Sequence, residues 1–322
     1  MTTTATDRLI ERFRNGERPA LARLVTYVEN ERPAGMRAMA ELYRDSGTAQ
    51  VIGITGPTGA GKSTLTNAVI RAYRGKGKTV GVLAIDPSSS LTGGATLGDR
   101  IRMLENYEDD GVFIRSMATR GEMGGLSMAV GAVTHLLDAF GFDIILVETV
   151  GVGQDEVDVA ELADTTLLLQ VPGLGDSIQT IKAGVLEIAD ILVVNKSDIK
   201  GADDVKRDLR NMLRLGEHGP WLPPIVETVA ITGGNIEALL TSIDKHREYL
   251  ERSGEGERRR ERRARREVLR LAENWLASEL ERTLADPALA PMLAELQSRA
   301  IDPFKVAEQV ARTTAARVQS RA

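Results

Sequence analysis

Short apolar runs rich in valine, isoleucine and leucine punctuate the middle of this chain, at 51–55, 79–86, 112–116, 144–149, 166–171, 191–195 and 225–229. Most are continuous rather than alternating, the pattern of strands covered by helices on both faces. The segments between them are amphipathic and long enough for crossover helices. The predicted fold class is therefore α/β, a doubly wound, mostly parallel sheet that binds ligands at the carboxyl ends of its strands. Ahead of the sheet, Leu9, Phe13, Leu21, Leu24, Val25 and Val28 recur at helical intervals broken near Pro19 and Pro33, and a further helix is predicted over 34–43. Behind it, a helix over 236–249 precedes a break at Arg252-Ser253-Gly254-Glu255-Gly256. A long helix then carries an apolar stripe of Val268, Leu269, Ala272, Trp275, Leu276, Leu280 and Leu284. Beyond Pro287 and Pro291, Leu293, Leu296, Phe304, Ala307, Val310 and Val318 suggest two more helices. The expected division is a helical extension at 1–46, the α/β domain at 47–252 and a helical arm at 253–322, the last too short for an independent core.

The candidate chemistry begins directly after the first apolar run. Gly56-Pro57-Thr58-Gly59-Ala60-Gly61-Lys62-Ser63-Thr64 fits the phosphate-loop pattern between a strand and a helix that runs from Leu65 with Val69 and Ile70 apolar and Thr66, Asn67 and Arg71 polar. Its glycines let successive N–H groups converge on one phosphate cluster, and the helix N-terminus adds partial positive charge. Lys62 would reach the β- and γ-phosphates, and Ser63 would place its hydroxyl on Mg²⁺.

That loop does not choose between ATP and GTP. Asn195-Lys196-Ser197-Asp198, at the end of a later apolar run, does. A carboxylate at Asp198 can accept hydrogen bonds from guanine N1–H and its exocyclic amine, which adenine cannot supply, and an unpaired buried polar group discriminates more strongly than apolar fit. Asn195 would tie this loop to the phosphate loop or meet the base, and the Lys196 stem would cover the base plane. Val229-Ala230-Ile231 follows the next run, where a backbone N–H could meet the guanine oxygen. Glu148-Thr149-Val150-Gly151 supplies a carboxylate on the Mg²⁺ side and a glycine whose N–H can approach the γ-phosphate. Ser63, Asp86, Asp99 and Glu148 together would give oxygen ligands, directly or through water; Asp86 and Asp99 could instead cap neighbouring segments. Glycine-rich loops at 120–125 and 171–176 read first as βα turns. Lys182, after the second, could steady transition-state charge or be a surface lysine.

Composition narrows the setting. With 42% hydrophobic and 27% charged residues, the chain has the balance of a soluble globular protein. A net charge of −5 argues against nucleic acid as a general partner. There is no cysteine, so disulfides and thiolate metal sites are excluded, and a reducing cytoplasm fits. No apolar run approaches the ~20 residues of a membrane span. His135, His218 and His246 are too far apart for metal-ligand spacing and read as helix-surface or loop residues. The arginines clustered over 258–266 read as the solvated start of the long helix, since Glu261 and Glu267 interrupt them.

Taken together, these residues resemble the methylmalonyl-CoA mutase-associated GTPases, the MeaB/ArgK group of the SIMIBI class. The marks are Asp86-Pro87-Ser88-Ser89-Ser90, Met117-Ala118-Thr119-Arg120-Gly121, Glu148-Thr149-Val150-Gly151-Val152-Gly153-Gln154, Pro172-Gly173 with Gly175-Asp176 and Lys182, and Asn195-Lys196-Ser197-Asp198. The resemblance covers nearly the whole chain. It implies a homodimeric GTPase joined through its C-terminal helices, binding an adenosylcobalamin-dependent acyl-CoA mutase and coupling GTP hydrolysis to cofactor delivery and quality control. By the same resemblance, 86–102 is a first switch, 148–160 a second, and 171–182 a third that senses the mutase. Two departures stand out: Thr58, where relatives tend to have Pro or Gly, and Val229-Ala230-Ile231-Thr232 in place of a more usual Ser-Ala pair. Intrinsic turnover is expected to be slow, because the sequence places no base or arginine finger in cis. A metal-insertion GTPase of the same class would call for Cys- or His-rich stretches, and a small-molecule kinase would have to explain away Asn195 to Asp198.

Overall fold

The structure is a computed structural model describing residues 4–87, 108–119, 128–149, 155–173, 187–216 and 219–321. It divides into two compact units, 1–260 and 261–322. The predicted strands form one sheet: β1 (Gln50–Thr55), β2 (Val80–Pro87), β3 (Val112–Thr119), β4 (Ile144–Glu148), β5 (Thr165–Gln170), β6 (Ile191–Asn195) and β7 (Ile225–Thr228). Its order is β3-β2-β4-β1-β5-β6-β7 with every pairing parallel, so the expected "mostly parallel" sheet is wholly so. From β1 the chain crosses to β2 and out to β3, returns to β4 beside β1, and then runs outward through β5, β6 and β7 on the other side, which sets a topological switch point at the carboxyl end of β1.

Continuous apolar runs were expected to be covered on both faces, and residue-by-residue alternation shows that they are. Ile52, Ile54, Val80, Val82, Leu146, Leu167, Leu169, Ile191 and Val193 pack towards α4 (Lys62–Gly75) and α8 (Ile236–Ser253). Their neighbours Val51, Leu83, Ile85, Ile145 and Val147 face the opposite layer, containing α5 (Met128–Phe140) and α6 (Asp155–Leu162). Leu168, Leu192 and Val194 do the same against α7 (Ala202–Leu215).

The N-terminal helices α1 (Ala5–Arg14), α2 (Arg18–Glu29) and α3 (Pro33–Leu42) share that second layer: Leu9, Phe13, Leu21, Leu24 and Val25 are buried in one cluster with Val133, Leu136 and Leu137 of α5. The two prolines that interrupt the periodicity sit in the first turns of α2 and α3, where the missing N–H has no intrahelical partner to lose. α1 opens on a reciprocal cap in which Asp7 N–H donates to Thr4 Oγ1 and Thr4 N–H donates to Asp7 Oδ2.

α8 ends at Gly254, whose φ of +68° breaks the helix before α9 (Glu255–Leu284) begins. In the second unit, a turn at Pro287–Leu289 leads to α10 (Ala290–Gln297) and α11 (Pro303–Arg321). Its small core holds Leu289, Val306 and Val310 with Leu280, Met292, Leu293 and Leu296 against them. Thr314 and Thr283 share a buried hydrogen bond of 2.8 Å. Val268, Leu269, Trp275, Leu276 and Phe304 remain exposed on this unit. No helix among the described residues is long and apolar enough to cross a membrane.

Candidate functional site

Four strand ends converge on the loop between β1 and α4. Gly56 leaves β1 at a φ of +142°, and a Cβ there would lie 2.5 Å from the Leu169 carbonyl oxygen of β5, so only glycine lets the loop start against its neighbour. Gly61 closes the loop at +86°, with the Asn195 amide nitrogen 2.6 Å from where a Cβ would stand. α4 then begins at Lys62, pointing its N-terminus at the loop's interior. The Lys62 ammonium is buried and donates to the carbonyls of Gly56 at 2.8 Å and Pro57 at 3.1 Å. Thr58 and Gly59 form the exposed crest of the loop, Ala60 is buried beneath it, and Thr64 is exposed on α4.

Glu148, at the end of β4, is 4% exposed. Ser63 donates to its Oε1 at 2.6 Å and Thr66 to its Oε2 at 2.7 Å. Two hydroxyls one helical turn apart on α4 thus hold the two oxygens of one carboxylate. Beside them, Thr149 N–H donates to the Ile54 carbonyl and its hydroxyl meets that of Thr55 at 3.1 Å, which carries the β1–β4 pairing past the last strand residue. Thr66 reads from sequence as part of the polar helix face, but the structure buries it fully. Its partner is a carboxylate remote in sequence.

On the other side of β1, Asn195 acts as a three-way tie. Its Nδ2 donates to the Ala60 carbonyl at 2.9 Å, while its Oδ1 accepts from Thr228 Oγ1 at 3.2 Å and Ala230 N–H at 3.1 Å. Of the two roles open to Asn195, the structure shows the tie to the phosphate loop. Lys196, at a φ of +54°, sends its ammonium to the Gly59 carbonyl at 2.9 Å, laying its stem along that loop. Asp198 stands exposed three residues beyond Asn195. In the loop after β7, Val229 N–H is bonded to the Gly234 carbonyl and Ala230 N–H to Asn195. Ile231 N–H makes no hydrogen bond among the described residues, and the residue is 80% exposed.

Asp99, Gly151 and Lys182 lie outside the described residues, as do His218 and the glycine-rich stretch 120–125. Asp86 is placed at the penultimate position of β2, opposite Ala118 of β3 and two residues beyond Ala84, the β2 partner of Glu148. Among the described residues no cluster of three His, Cys, Asp or Glu side chains could hold a metal ion.

At the opposite, amino-terminal end of the sheet, two expectations fail. His246 is not a surface residue: it is fully buried in α8, with Nδ1 2.9 Å from Thr165 Oγ1 and Nε2 3.2 Å from Asp190 Oδ1, its ring stacked with Tyr249 and tilted against Trp221. His135 is half-buried, edge-on to Tyr43. Nor is the whole arginine run solvated. Arg259 makes a two-pronged contact with Asp190, Nη2 to Oδ1 at 2.9 Å and Nη1 to Oδ2 at 3.1 Å. Burial alone would raise the Asp190 pKa, but His246 and Arg259 outweigh it and hold this carboxyl below its ordinary value.

Asp190 also accepts from Thr166 N–H. Asp190→Asn should therefore cost about 2 kcal/mol in urea unfolding at pH 7, because it removes the two-pronged carboxylate partner of a part-buried guanidinium and leaves it the longer contacts with Glu255 at 3.8 Å and the Asp164 carbonyl at 3.3 Å. The wild-type carboxylate contributes fully above about pH 4 and loses that contribution as pH falls through its lower folded value, so the deficit should shrink in acid. An equal deficit at every pH would contradict the ion pair's role.

A parallel sheet with a phosphate loop at its switch point, a lysine at the head of the following helix and a carboxylate at the adjacent strand end defines a phosphate-loop nucleotide-binding protein. The model of the methylmalonyl-CoA mutase-associated GTPase MeaB family matches residues 21–285, and the chain belongs to that family and is a GTPase. A Pyrococcus abyssi protein described as a GTPase is 47% identical over 309 residues, covering 94% of this chain and 95% of its own. The GTPase ArgK of Escherichia coli is 35% identical over 255 residues, covering 76% of this chain and 77% of its own. Among solved structures, an LAO/AO transport system kinase matches with a TM-score of 0.71 at 24% identity, covering 97% of this chain and 98% of its own. At that identity the likeness shows the fold alone.

Proposed function

We propose that this GTPase serves as a cytoplasmic chaperone for an adenosylcobalamin-dependent acyl-CoA mutase, methylmalonyl-CoA mutase by preference, gating cofactor loading and protecting or reactivating the enzyme. The observation that carries this reading is the family match over residues 21–285, since the family is described by its association with that mutase.

The geometry supports named roles for the nucleotide. Backbone N–H groups of the loop from Gly56 to Thr64 and the head of α4 would cradle the phosphates, with the Lys62 ammonium turning from the loop carbonyls to phosphate oxygens. Asp198 would accept from guanine and Lys196 would cover the ring, while Asn195 keeps both segments in register. Ile231 N–H, in the loop after β7, is a donor available to the guanine oxygen.

A Mg²⁺ site fits the same corner, because Ser63 and Glu148 present hard oxygen donors side by side. Bound there with Asp86 and Asp99, Mg²⁺ would neutralise charge on the β- and γ-phosphates. Gly151 and Lys182 would belong to switch segments that respond to the γ-phosphate and to the mutase.

The exposed apolar residues Val268, Leu269, Trp275 and Leu276 on α9 support a homodimer formed through the C-terminal helices. Size-exclusion chromatography with light scattering, alone and with the mutase in GDP or a non-hydrolysable GTP analogue, reads both assemblies. The protein alone should show twice the 34.9 kDa chain mass, and it should co-elute with the mutase in a nucleotide-dependent way. A single-chain mass would remove the dimer, and separate elution in every nucleotide state would remove the partner.

A further inference from the structure

We infer that Thr66 is a positioning residue for the cation site: its hydroxyl fixes the orientation of the Glu148 carboxylate and so sets the affinity for Mg²⁺. The inference rests on the nucleotide-site reading above and deepens it. Four observations carry it. Thr66 is fully buried, in a helix turn where an apolar side chain would satisfy packing alone. Its hydroxyl lies 2.7 Å from Glu148 Oε2, a short contact to an acceptor that is itself 4% exposed. The same hydroxyl lies 3.0 Å from the Lys62 carbonyl, so the contact is anchored to the first turn of α4. And Thr66 stands three residues after Ser63, which puts both hydroxyls on one helix face towards the end of β4.

Chemistry divides the labour between the two hydroxyls. The Ser63 oxygen has lone pairs left for a cation while its own proton is donated in a hydrogen bond to Glu148 Oε1. Thr66 takes no part in holding the cation: its single proton is shared between Oε2, the nearer acceptor at 2.7 Å, and the Lys62 carbonyl at 3.0 Å, and that contact resists rotation of the carboxylate plane about its Cγ–Cδ bond when the cation side is rearranged. A carboxylate pinned at both oxygens is preorganised for an ion that tolerates little departure from octahedral geometry. Partners of this kind, one step removed from the metal, typically change affinity by about 10–100-fold when lost.

The test is the release rate of a fluorescent GDP analogue measured across a Mg²⁺ titration, a binding readout independent of turnover. In Thr66→Val, which keeps the shape and removes the hydroxyl, the Mg²⁺ concentration for half-maximal slowing of release should rise about tenfold. Thr66→Ser restores the hydroxyl and should return the midpoint to near the wild-type value; Thr66→Ala should behave as the valine variant does, should valine fail to fold. An unchanged midpoint in the hydroxyl-free variants would overturn the inference. So would faster release by the same factor at every Mg²⁺ concentration, which is the signature of a packing role, or a shifted midpoint in the serine variant. Wild-type release that ignores Mg²⁺ would take down the cation-site reading itself and this inference with it.

Discussion

Lys62→Ala is expected to lower kcat for GTP at least about hundredfold, the scale on which removal of one preorganised charge-stabilising donor acts. The reason lies in the placement of the ammonium. It is buried at the head of α4 and held within the curve of the phosphate loop by two carbonyls, so exchanging those acceptors for phosphate oxygens needs little reorganisation. Phosphoryl transfer leaves the protein little covalent work, and charge stabilisation in the transition state is most of what it supplies. Lys62→Arg should not rescue, because a planar fork replaces a compact point charge in a loop built around the latter. Single-turnover hydrolysis at saturating GTP measures this. A loss under tenfold would mean that the transferred phosphate sits elsewhere.

Asp198→Ala is expected to erase most of the preference for guanine over adenine nucleotides, a change of about 10⁴ in the ratio of GDP to ADP affinities. Discrimination of this size needs a polar group that the wrong base leaves unpaired, and a carboxylate facing a base edge is such a group. The surrounding frame should survive the change, since Asn195 and Lys196 are anchored to the phosphate loop independently of Asp198. Competition binding of both nucleotides to the variant decides it. Retained guanine preference would move recognition to the loop after β7, around Ile231.

Strand positions were legible to within a few residues because continuous apolar runs bounded by polar segments leave few alternatives, and parallel pairing followed from crossover lengths; the strand order, with β4 inserted between β1 and β2, did not. The phosphate loop and Asn195 to Asp198 were legible as contiguous motifs. What escaped were pairings between residues far apart in the chain. Thr66 sits in a helix whose neighbours give no hint that Glu148 will end beside it. Asp190, His246 and Arg259 come from three separate elements, and each alone has an unremarkable reading: a loop acid, a helix histidine, one arginine of a charged run. A histidine at a core-facing position of α8, between Ile243 and Leu250, was the available signal that His246 would be buried. Thr228 likewise carried only the hint of a hydroxyl at the end of an apolar strand.

GTP turnover measured with and without the host's adenosylcobalamin-dependent acyl-CoA mutase tests the central claim most directly. The account predicts slow turnover alone and at least severalfold stimulation by the mutase, both lost in Lys62→Ala. Turnover that is indifferent to the mutase at every ratio would contradict a mutase-coupled GTPase.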